Sequence, residues 1–328
     1  MISSEEGQGT PESVTSMIAE TYDIGCSIDC QVLSDRANAT YLVTVEGGRY
    51  VLKVYAPGER SSDDLGYEVD LLLHLARKGV PVAMPVATRD GRFTGLLRTA
   101  RDDRHAILYT YAPGDPPPWP PDAAYYRPYG RAVAAIHTGL DDFASAYPRA
   151  PLDLEHLIEE PMRAILPFLQ HRPDDADYLQ RRADDLVGRV RPVAGDLEWG
   201  ACHGDFQGAN CHATADGTVT FFDFDCCGAG WRAYDLATFR WAVTMNGADD
   251  ALWTAFFAGY RDRRSIRAAD VDVIPTFVPI RHLWWMGTHV RHRSTWGAAW
   301  QGDPYFDRGL AFLRAWSIEH PEAMYSSM

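Results

Sequence analysis

The stretch that decides the fold is His203-Gly204-Asp205-Phe206-Gln207-Gly208-Ala209-Asn210, and a second acidic run, Phe221-Phe222-Asp223-Phe224-Asp225, follows it. The carboxylate of Asp205 can act as a general base toward a hydroxyl group. Asn210 and Asp223 carry oxygen atoms, which Mg²⁺ prefers, and Mg²⁺ typically takes few protein ligands and completes its shell with substrate phosphates and water. The pattern therefore indicates a phosphoryl-transfer centre, with Asp205 as the base and Asn210 and Asp223 as metal ligands.

The segment between the two acidic runs predicts a β-hairpin. Residues 211–214 and 218–222 are rich in β-prone side chains, and they flank Ala215-Asp216-Gly217. An Asp-Gly pair between such runs is a strong local signal for a hairpin turn. The hairpin would join the base loop directly to the second metal ligand.

The order of these motifs resembles the aminoglycoside phosphotransferase and choline kinase-like family. That family has His-Gly-Asp, an Asn five positions after the Asp, a later metal-binding Asp, and then Asp-Leu-Ala, matched here by Asp235-Leu236-Ala237. Protein kinases share the Asp-to-Asn spacing, but they have Arg where Gly204 stands and Gly where Asp225 stands. The segment from residue 245 onward resembles the homoserine kinase and stress-response kinase subgroup. Asp235 is expected to hold the loop together, and Asp225 either touches a second metal or caps the following loop.

The resemblance implies the fold and the cofactors. We expect an α+β protein with the bilobal protein-kinase-like fold, in which a small antiparallel sheet forms the N-lobe and the larger C-lobe is mainly helical. The cofactors implied are ATP and Mg²⁺. A proline-rich run between residues 113 and 121 marks the boundary. We predict a disordered tail over residues 1–12, a nucleotide-binding N-lobe over 13–113, and a C-lobe over 114–328 that carries the catalytic loop, the metal site and the acceptor site.

Lys53 is the predicted phosphate-binding lysine. The chain has only two lysines, Lys53 and Lys78, and arginine supplies the rest of its 31 basic residues. Lys53 lies in the β-branched and aromatic run 49–55, which predicts a strand. The alternative is a solvated strand lysine that binds nothing.

Glu68 is the predicted partner of Lys53. Ser61-Ser62-Asp63-Asp64 predicts a helix start, and Leu65, Glu68, Leu72 and Leu75 share one face of that helix. A carboxylate on an apolar stripe is costly unless it is paired, so its position calls for a cation nearby. The alternative is a glutamate at the edge of the stripe that reaches water.

Three further nucleotide contacts are implied by the resemblance. Residues 32–43 look like a strand, loop and strand that cover phosphates, with Ser34 as the polar residue and Asn38 as a second candidate. Residues 104–114 resemble the hinge strand, where backbone groups near Thr110 and Ala112 would meet adenine. Backbone recognition leaves no side-chain signature, so the choice between ATP and GTP stays open.

The charge and composition of the chain argue against some classes of binding partner. The formal net charge is −14, which argues against nucleic acid and anionic membranes as partners. The sequence contains no apolar segment long enough to predict a membrane span. We expect the protein to be cytoplasmic and to be a monomer or a homodimer. The six cysteines form no metal-binding pattern and are expected to be reduced. His137 lies on the apolar face of a predicted helix and is expected in the core.

Arg281, Arg291 and Arg293 are the candidate acceptor-binding residues. They alternate with histidines and tryptophans in one predicted helix, and arginine pairs well with carboxylates and phosphates. The alternative, an amphipathic helix with a solvated basic face, is equally compatible with the pattern.

The sequence thus predicts an enzyme that moves the γ-phosphoryl group of ATP to a hydroxyl of a small molecule. The acceptor would be an amino alcohol, a hydroxy amino acid, an aminoglycoside, or another antibiotic or metabolite. Two alternatives stay open: a protein Ser/Thr kinase of the stress-response type, and an inactive nucleotide-binding scaffold.

Overall fold

A computed structural model describes residues 10–35, 38–99, 102–118, 121–293 and 302–319 of the protein. These residues fall into two compact units. The first unit takes the described residues up to Gly114 together with Ala144–Arg149 and Thr220–Phe222, and the second takes the others. Most of the predicted tail, 1–12, lies outside the described residues, but Pro11 and Glu12 already belong to a helix.

The first unit is built on a five-stranded antiparallel sheet with the strand order β1-β2-β3-β5-β4. The strands are β1 (Asp29–Asp35), β2 (Ala39–Val45), β3 (Gly48–Val54), β4 (Gly95–Arg98) and β5 (Asp103–Thr110). Consecutive strands pair because short turns connect β1 to β2 and β2 to β3. The predicted strands around Lys53 and before Thr110 are therefore present.

The two faces of the sheet have different neighbours. Leu52 and Val54 of β3 belong to an apolar cluster with Val14 and Ile18 of helix α1 (Pro11–Thr21). Because side chains alternate along a strand, Lys53 points to the opposite face, where its cross-strand partner is Ile107 of β5. The sheet thus places Lys53 away from the helix-covered core.

Helix α2 (Ser62–Arg77) begins as the sequence predicts. The Ser61 hydroxyl accepts the Asp64 N–H over 3.1 Å, and the Asp64 carboxylate accepts the Ser61 N–H over 2.9 Å, which is a complete capping box. Gly79, with a φ of 73°, follows the helix end. Glu68 is buried together with the leucines that flank it on the same face.

The second unit is mainly helical. Its helices are α3 (Ala123–Gly139), α4 (Glu160–Ile165), α5 (Pro173–Val190), α6 (Arg232–Met245), α7 (Asp250–Arg261), α8 (Ala268–Arg291) and α9 (Asp303–Glu319). Its short strands are β6 (Trp199–Cys202), β7 (Cys211–Ala213), β8 (Val219–Phe221) and β9 (Gly228–Trp231), of which the last residues of β8 pack with the first unit. β6 pairs with β9, and β7 pairs with β8 in the predicted hairpin. A sheet and helices in these proportions confirm the α+β class.

Two glycines allow α3 and α7 to approach each other closely. A Cβ atom on Gly130 would lie 2.0 Å from the carbonyl oxygen of Phe256, and one on Gly259 would lie 2.1 Å from that of Arg127. No side chain fits at these distances, so only glycine permits this helix pair. Tyr129 packs beside the crossing and is fully buried.

Helix α8 contains two prolines, Pro275 and Pro279, without ending at either. Pro279 has no N–H, so it cannot donate to the carbonyl of Pro275 one turn earlier. The indole N–H of Trp316 in α9 donates to that carbonyl instead, over 2.9 Å. A residue of the last helix therefore satisfies the backbone of α8, and α8 in turn carries Arg281.

Candidate active site

The loop that carries Asp205 joins β6 to β7, and helix α6 fixes its backbone. The carboxylate of Asp235 accepts the N–H groups of His203 (2.8 Å) and Gly204 (2.7 Å), and it lies 3.0 Å from Nε2 of His137. Asp235 and His137 are both fully buried. Asp235 therefore holds the loop together and does not face a substrate.

The charges beneath the loop are well defined. Burial alone would raise the pKa of Asp235, but hydrogen bonding and the charges around it outweigh burial and lower the pKa. Burial lowers the pKa of His137 to about 4, and the nearby Arg232 acts in the same direction. At neutral pH this gives an ionised Asp235 and a neutral His137. His137 is a core residue, as expected.

The two carboxylate oxygens of Asp205 have different partners. Oδ2 accepts the side-chain amides of Gln207 (3.0 Å) and Asn210 (3.2 Å). Oδ1 pairs with the guanidinium of Arg281. Such contacts fix the rotamer of the carboxylate, as a catalytic base requires.

Arg281 lies beside the base. Its Nη1 donates to the carbonyl of Gly204 over 3.2 Å, its Nη2 pairs with Asp205, and only 3% of its side chain is exposed. The sequence predicts an acceptor carboxylate or phosphate as the partner of Arg281, but in the structure its partner is Asp205, the predicted base. The reason is that α8 packs against α6, which already holds the base loop.

The other two candidate arginines are not brought to the base. Arg291 pairs with Glu160 over 3.0 Å, and the guanidinium carbon of Arg293 lies 4.8 Å from the ring centre of Phe168. Arg291 is the last residue of α8 and Arg293 lies two positions beyond it, while Arg281 lies in the middle of the helix. Trp296, which completed the predicted arginine and aromatic pattern, lies outside the described residues.

Asp223 has an unusual backbone. Its φ of 65° and ψ of 55° place it in the left-handed region, and it is the one non-glycine residue with positive φ in the described part of the chain. Strained backbone of this kind is concentrated at functional sites. Asp223 is exposed and immediately precedes the 3₁₀ turn Phe224–Cys226.

The base loop and the Asp223 turn touch through Gly204. This glycine has a φ of 81°, and a Cβ atom on it would lie 2.3 Å from the carbonyl oxygen of Cys226. A larger residue would force the turn away. The contact explains why glycine stands directly before the base.

The donor chemistry of Asn210 fits a hard cation. Its side-chain Nδ2 donates to the carbonyl (2.9 Å) and the carboxylate (3.2 Å) of Asp205. The amide oxygen therefore points away from Asp205 as an acceptor, and oxygen ligands are what Mg²⁺ or Ca²⁺ prefers. Among the described residues, no three His, Cys, Asp or Glu side chains cluster as a metal site, so a metal held by Asn210 and Asp223 would need non-protein ligands.

In the first unit, Glu68 is held by two tyrosines. The hydroxyl of Tyr109 donates to Oε1 over 2.6 Å, and that of Tyr55 lies 3.5 Å from Oε2 and 3.0 Å from the Tyr109 hydroxyl. Glu68 is only 2% exposed. The ammonium of Lys53 lies 5.6 Å from the ring centre of Tyr55, which places the predicted phosphate ligand beside this cluster.

The remaining predicted nucleotide contacts lie around the same sheet. Ser34 follows an irregularity in the pairing of β1 with β2, and the Asn38 side chain accepts the N–H of Ala56 over 3.1 Å. The N–H of Thr110 donates to the carbonyl of Met84 over 2.8 Å, and its hydroxyl accepts the Met84 N–H over 2.9 Å. Because these groups of Thr110 already bind Met84, a contact from Thr110 to adenine would use its carbonyl oxygen. Ala112 is buried just beyond the end of β5.

Sequence reasoning missed Tyr55, Tyr109 and Gln207. Gln207 stands inside the quoted motif, and an amide two residues from a carboxylate is a visible signal for a local hydrogen bond. The tyrosines gave no such signal, because Tyr109 is far from Glu68 in the sequence. None of the six cysteines, all of which lie in described residues, forms a disulfide bond. In the described part of the chain no helix has the length and apolar character needed to cross a bilayer.

The fold and the site together define a kinase-like phosphotransferase: an antiparallel sheet with a lysine and a buried glutamate, and a base loop followed by a metal-type acid. A family model for the phosphotransferase enzyme family matches residues 29–269. The chain belongs to this family, and it is a kinase, an enzyme that phosphorylates hydroxyl groups. The resemblance found in the sequence is confirmed.

Known proteins agree with this assignment. A homoserine kinase of Neisseria meningitidis serogroup B is 30% identical over 264 residues, which are 78% of this chain and 80% of that protein. The microcompartment-associated aminopropanol kinase has a similar structure, with a TM-score of 0.75, 24% identity and coverage of 92% and 94% of the two chains. An amicoumacin kinase in complex with AMP-PNP, Ca²⁺ and Ami gives a TM-score of 0.77, 23% identity and coverage of 96% and 94%. The predicted protein-kinase-like fold is confirmed.

Proposed function

We propose that the protein transfers the γ-phosphoryl group of ATP, in the presence of Mg²⁺, to a hydroxyl group of a small molecule. The observation that carries this proposal is the carboxylate of Asp205, which is fixed by Gln207, Asn210 and Arg281 and lies in a loop anchored by Asp235. Asp205 would orient the acceptor hydroxyl and take its proton. A pre-oriented base of this kind is what phosphoryl transfer asks of the protein.

The remaining roles follow from the donor types. Asn210 and Asp223 would hold Mg²⁺, which when bound neutralises charge on the phosphates. Lys53 would contact the donor phosphates, with Glu68 as its partner, and Thr110, Ala112 and Ser34 would line the nucleotide. The solved amicoumacin kinase, which binds AMP-PNP and Ca²⁺, supports a nucleotide and a divalent metal here.

A small acceptor is favoured over a protein. Asp223 is followed at once by the turn Phe224–Cys226, then by β9, and then by α6, which begins at Arg232. This stretch leaves no room for the long activation loop with which protein kinases bind peptides. Homoserine and aminopropanol, named as substrates of similar kinases, each carry an amine and a hydroxyl, so amino alcohols and hydroxy amino acids are the first acceptors to test.

An ATP-consumption assay tests the proposal. The purified protein is incubated with Mg·ATP and, one at a time, homoserine, 1-amino-2-propanol, aminoglycosides, nucleoside antibiotics and a denatured protein mixture. We expect phosphorylation of one of the small acceptors. Phosphorylation of the protein mixture alone would favour the protein-kinase alternative, and nucleotide binding without any turnover would favour the scaffold.

The Asp205→Asn variant tests the base. We expect kcat to fall by roughly 10² to 10⁴, the usual contribution of general base catalysis, while the affinity for Mg·ATP changes little. Equal turnover in the variant would remove Asp205 from this role.

A further inference from the structure

We propose that Arg281 is a positioning residue for the phosphoryl-transfer reaction: it holds the carboxylate of Asp205 in the orientation that receives the acceptor hydroxyl. The inference rests on the proposed function of Asp205. It also changes the role expected for Arg281 itself, from binding an acceptor anion to holding the carboxylate of Asp205.

The burial of the Arg281 guanidinium and its charge support this role. Arg281 is almost completely buried, and a buried guanidinium is tolerated only where a counter-charge and hydrogen bonds compensate for lost hydration. Asp205 supplies the charge, and the Gly204 carbonyl supplies a second acceptor. No hydrogen-bond partner for Nε of Arg281 exists among the described residues. The counter-charge and the backbone acceptor thus both come from the loop that carries Asp205.

The partners of the two Asp205 oxygens come from different parts of the chain. Oδ2 of Asp205 is held by two neutral amides that come from its own loop, and Oδ1 is held by Arg281 from a different helix. Without Arg281, the carboxylate could rotate about its terminal torsion, which is soft. Contacts to both oxygens, from the loop and from α8, remove that freedom.

Two tryptophans hold the guanidinium of Arg281 in place. Its central carbon lies 5.0 Å from the ring centre of Trp241 and 4.4 Å from that of Trp284. Each tryptophan is anchored by its indole N–H, Trp241 to Nδ1 of His282 over 3.1 Å and Trp284 to Nε2 of His156 over 3.0 Å. Flat aromatic faces stabilise a planar cation, so the orientation of Arg281 is set before any substrate arrives.

The chain offers a matched control. Arg240 also pairs with one aspartate, Asp250, over 2.8 Å, and also lies near two tryptophans, Trp253 and Trp316. It differs in having no contact with the base. The Arg240→Met variant therefore reports what the loss of a half-buried arginine with aromatic neighbours does to the enzyme in general.

The experiment measures kcat and KM for Arg281→Met, Arg281→Lys, Arg240→Met, Asp205→Asn and the double variant Arg281→Met with Asp205→Asn. Homoserine, 1-amino-2-propanol and water serve as probe acceptors with Mg·ATP. We expect Arg281→Met to lower kcat about tenfold or more, while the KM for ATP stays within about twofold. The reason is that the lost contact orients Asp205 toward the acceptor hydroxyl and does not involve the nucleotide. Arg240→Met should keep kcat within about twofold, and Arg281→Met should add little loss in the Asp205→Asn background.

Chemical rescue keeps the proposal testable if Arg281→Met is poorly folded. In Arg281→Ala, the space between the two tryptophans can accept a free guanidinium ion, and millimolar guanidinium should raise kcat. Urea, which has a similar shape and no charge, should not do so at the same concentration.

Several outcomes overturn the proposal. Arg281 would be only a packing residue if Arg281→Met had the same kcat as Arg240→Met. The same conclusion would follow if the losses from Arg281→Met and Asp205→Asn multiplied in the double variant, or if urea rescued Arg281→Ala as well as guanidinium does. An Asp205→Asn variant with full kcat would instead overturn the proposed function. The two failures are thus distinguishable.

Discussion

Tyr109 donates its hydroxyl to Oε1 of Glu68 over 2.6 Å, and this bond joins β5 to a carboxylate on α2 that is only 2% exposed. Burial, and next the charge of Glu68, raise the pKa of Tyr109 well above its ordinary value, so the hydroxyl keeps its proton and can donate at neutral pH. A tyrosine therefore fixes the glutamate that would orient Lys53.

Tyr109→Phe removes that donor without changing the shape of the ring. A hydrogen bond to a charged group contributes about 1.5–3 kcal/mol, so the free energy of unfolding should fall by that amount in urea titration. If Glu68 orients Lys53, the KM for ATP should also rise several-fold. Tyr50→Phe, in the neighbouring strand, is the matched control, and an equal effect in both variants would exclude a special role for Tyr109.

Asp223 gives a prediction that separates metal binding from folding. Asp223→Ala keeps a Cβ in the left-handed region and should lower the free energy of unfolding by about 1 kcal/mol, whereas Asp223→Gly should keep or raise it because glycine adopts this conformation without strain. Both variants should lose Mg²⁺-dependent ATP binding in calorimetry. Normal Mg·ATP titration in either variant would move the metal site elsewhere.

Gly204 and Gly217 form a natural comparison, since their φ values are 81° and 83°. Alanine at either position carries the left-handed strain of about 1–2 kcal/mol. At Gly204 the new Cβ would also meet the Cys226 carbonyl, while at Gly217 nothing lies within 4 Å. Gly204→Ala should therefore destabilise the protein by an additional 1–3 kcal/mol or so and abolish turnover, and Gly217→Ala should leave kcat unchanged. Thermal melts and a single activity assay check both.

His282 predicts how stability depends on pH. Its Nδ1 accepts the Trp241 N–H and its Nε2 lies 3.1 Å from the Gly309 carbonyl, so the ring is neutral with its proton on Nε2. Burial lowers the pKa of His282 to about 3, whereas an unfolded histidine has a pKa of about 6.5. Between these values the unfolded chain binds more protons at this residue, so stability falls as the pH drops through that window.

The His282→Gln variant tests this dependence. Glutamine can keep one donor and one acceptor but does not titrate, so Tm should fall less steeply between pH 7 and pH 4 than in the wild type. The wild type, measured in the same series of buffers, is the reference for the slope. A parallel slope in His282→Gln would show that the pKa of His282 does not differ between the folded and the unfolded protein.

Local features were readable from the sequence because neighbouring residues determine them. The capping box at Ser61, the Asp216-Gly217 turn and the strand around Lys53 all depend on side chains within a few positions of each other. The spacing of Asp205, Asn210 and Asp223 likewise lies within one loop and one hairpin. These residues predicted the fold and the chemistry together.

Contacts between distant segments were not readable. The partner of Glu68 in the sheet lies 41 positions away, and the partner of Asp205 in α8 lies 76 positions away. An arginine among tryptophans has the same appearance in the sequence whether it binds a substrate or a catalytic carboxylate. Which of the two it binds depends on how α8 packs on α6, and no local pattern specifies that packing.

The bond from Trp316 to the Pro275 carbonyl has a consequence for the order in which the chain is completed. During synthesis, α8 emerges from the ribosome before the residue that satisfies its backbone has been made. The carbonyl of Pro275 in the middle of the nascent helix would lack this donor until α9 has been made. Arg281, which lies on the same helix, would then reach its final place only after α9 has formed, and synthesis itself would delay activity until that point.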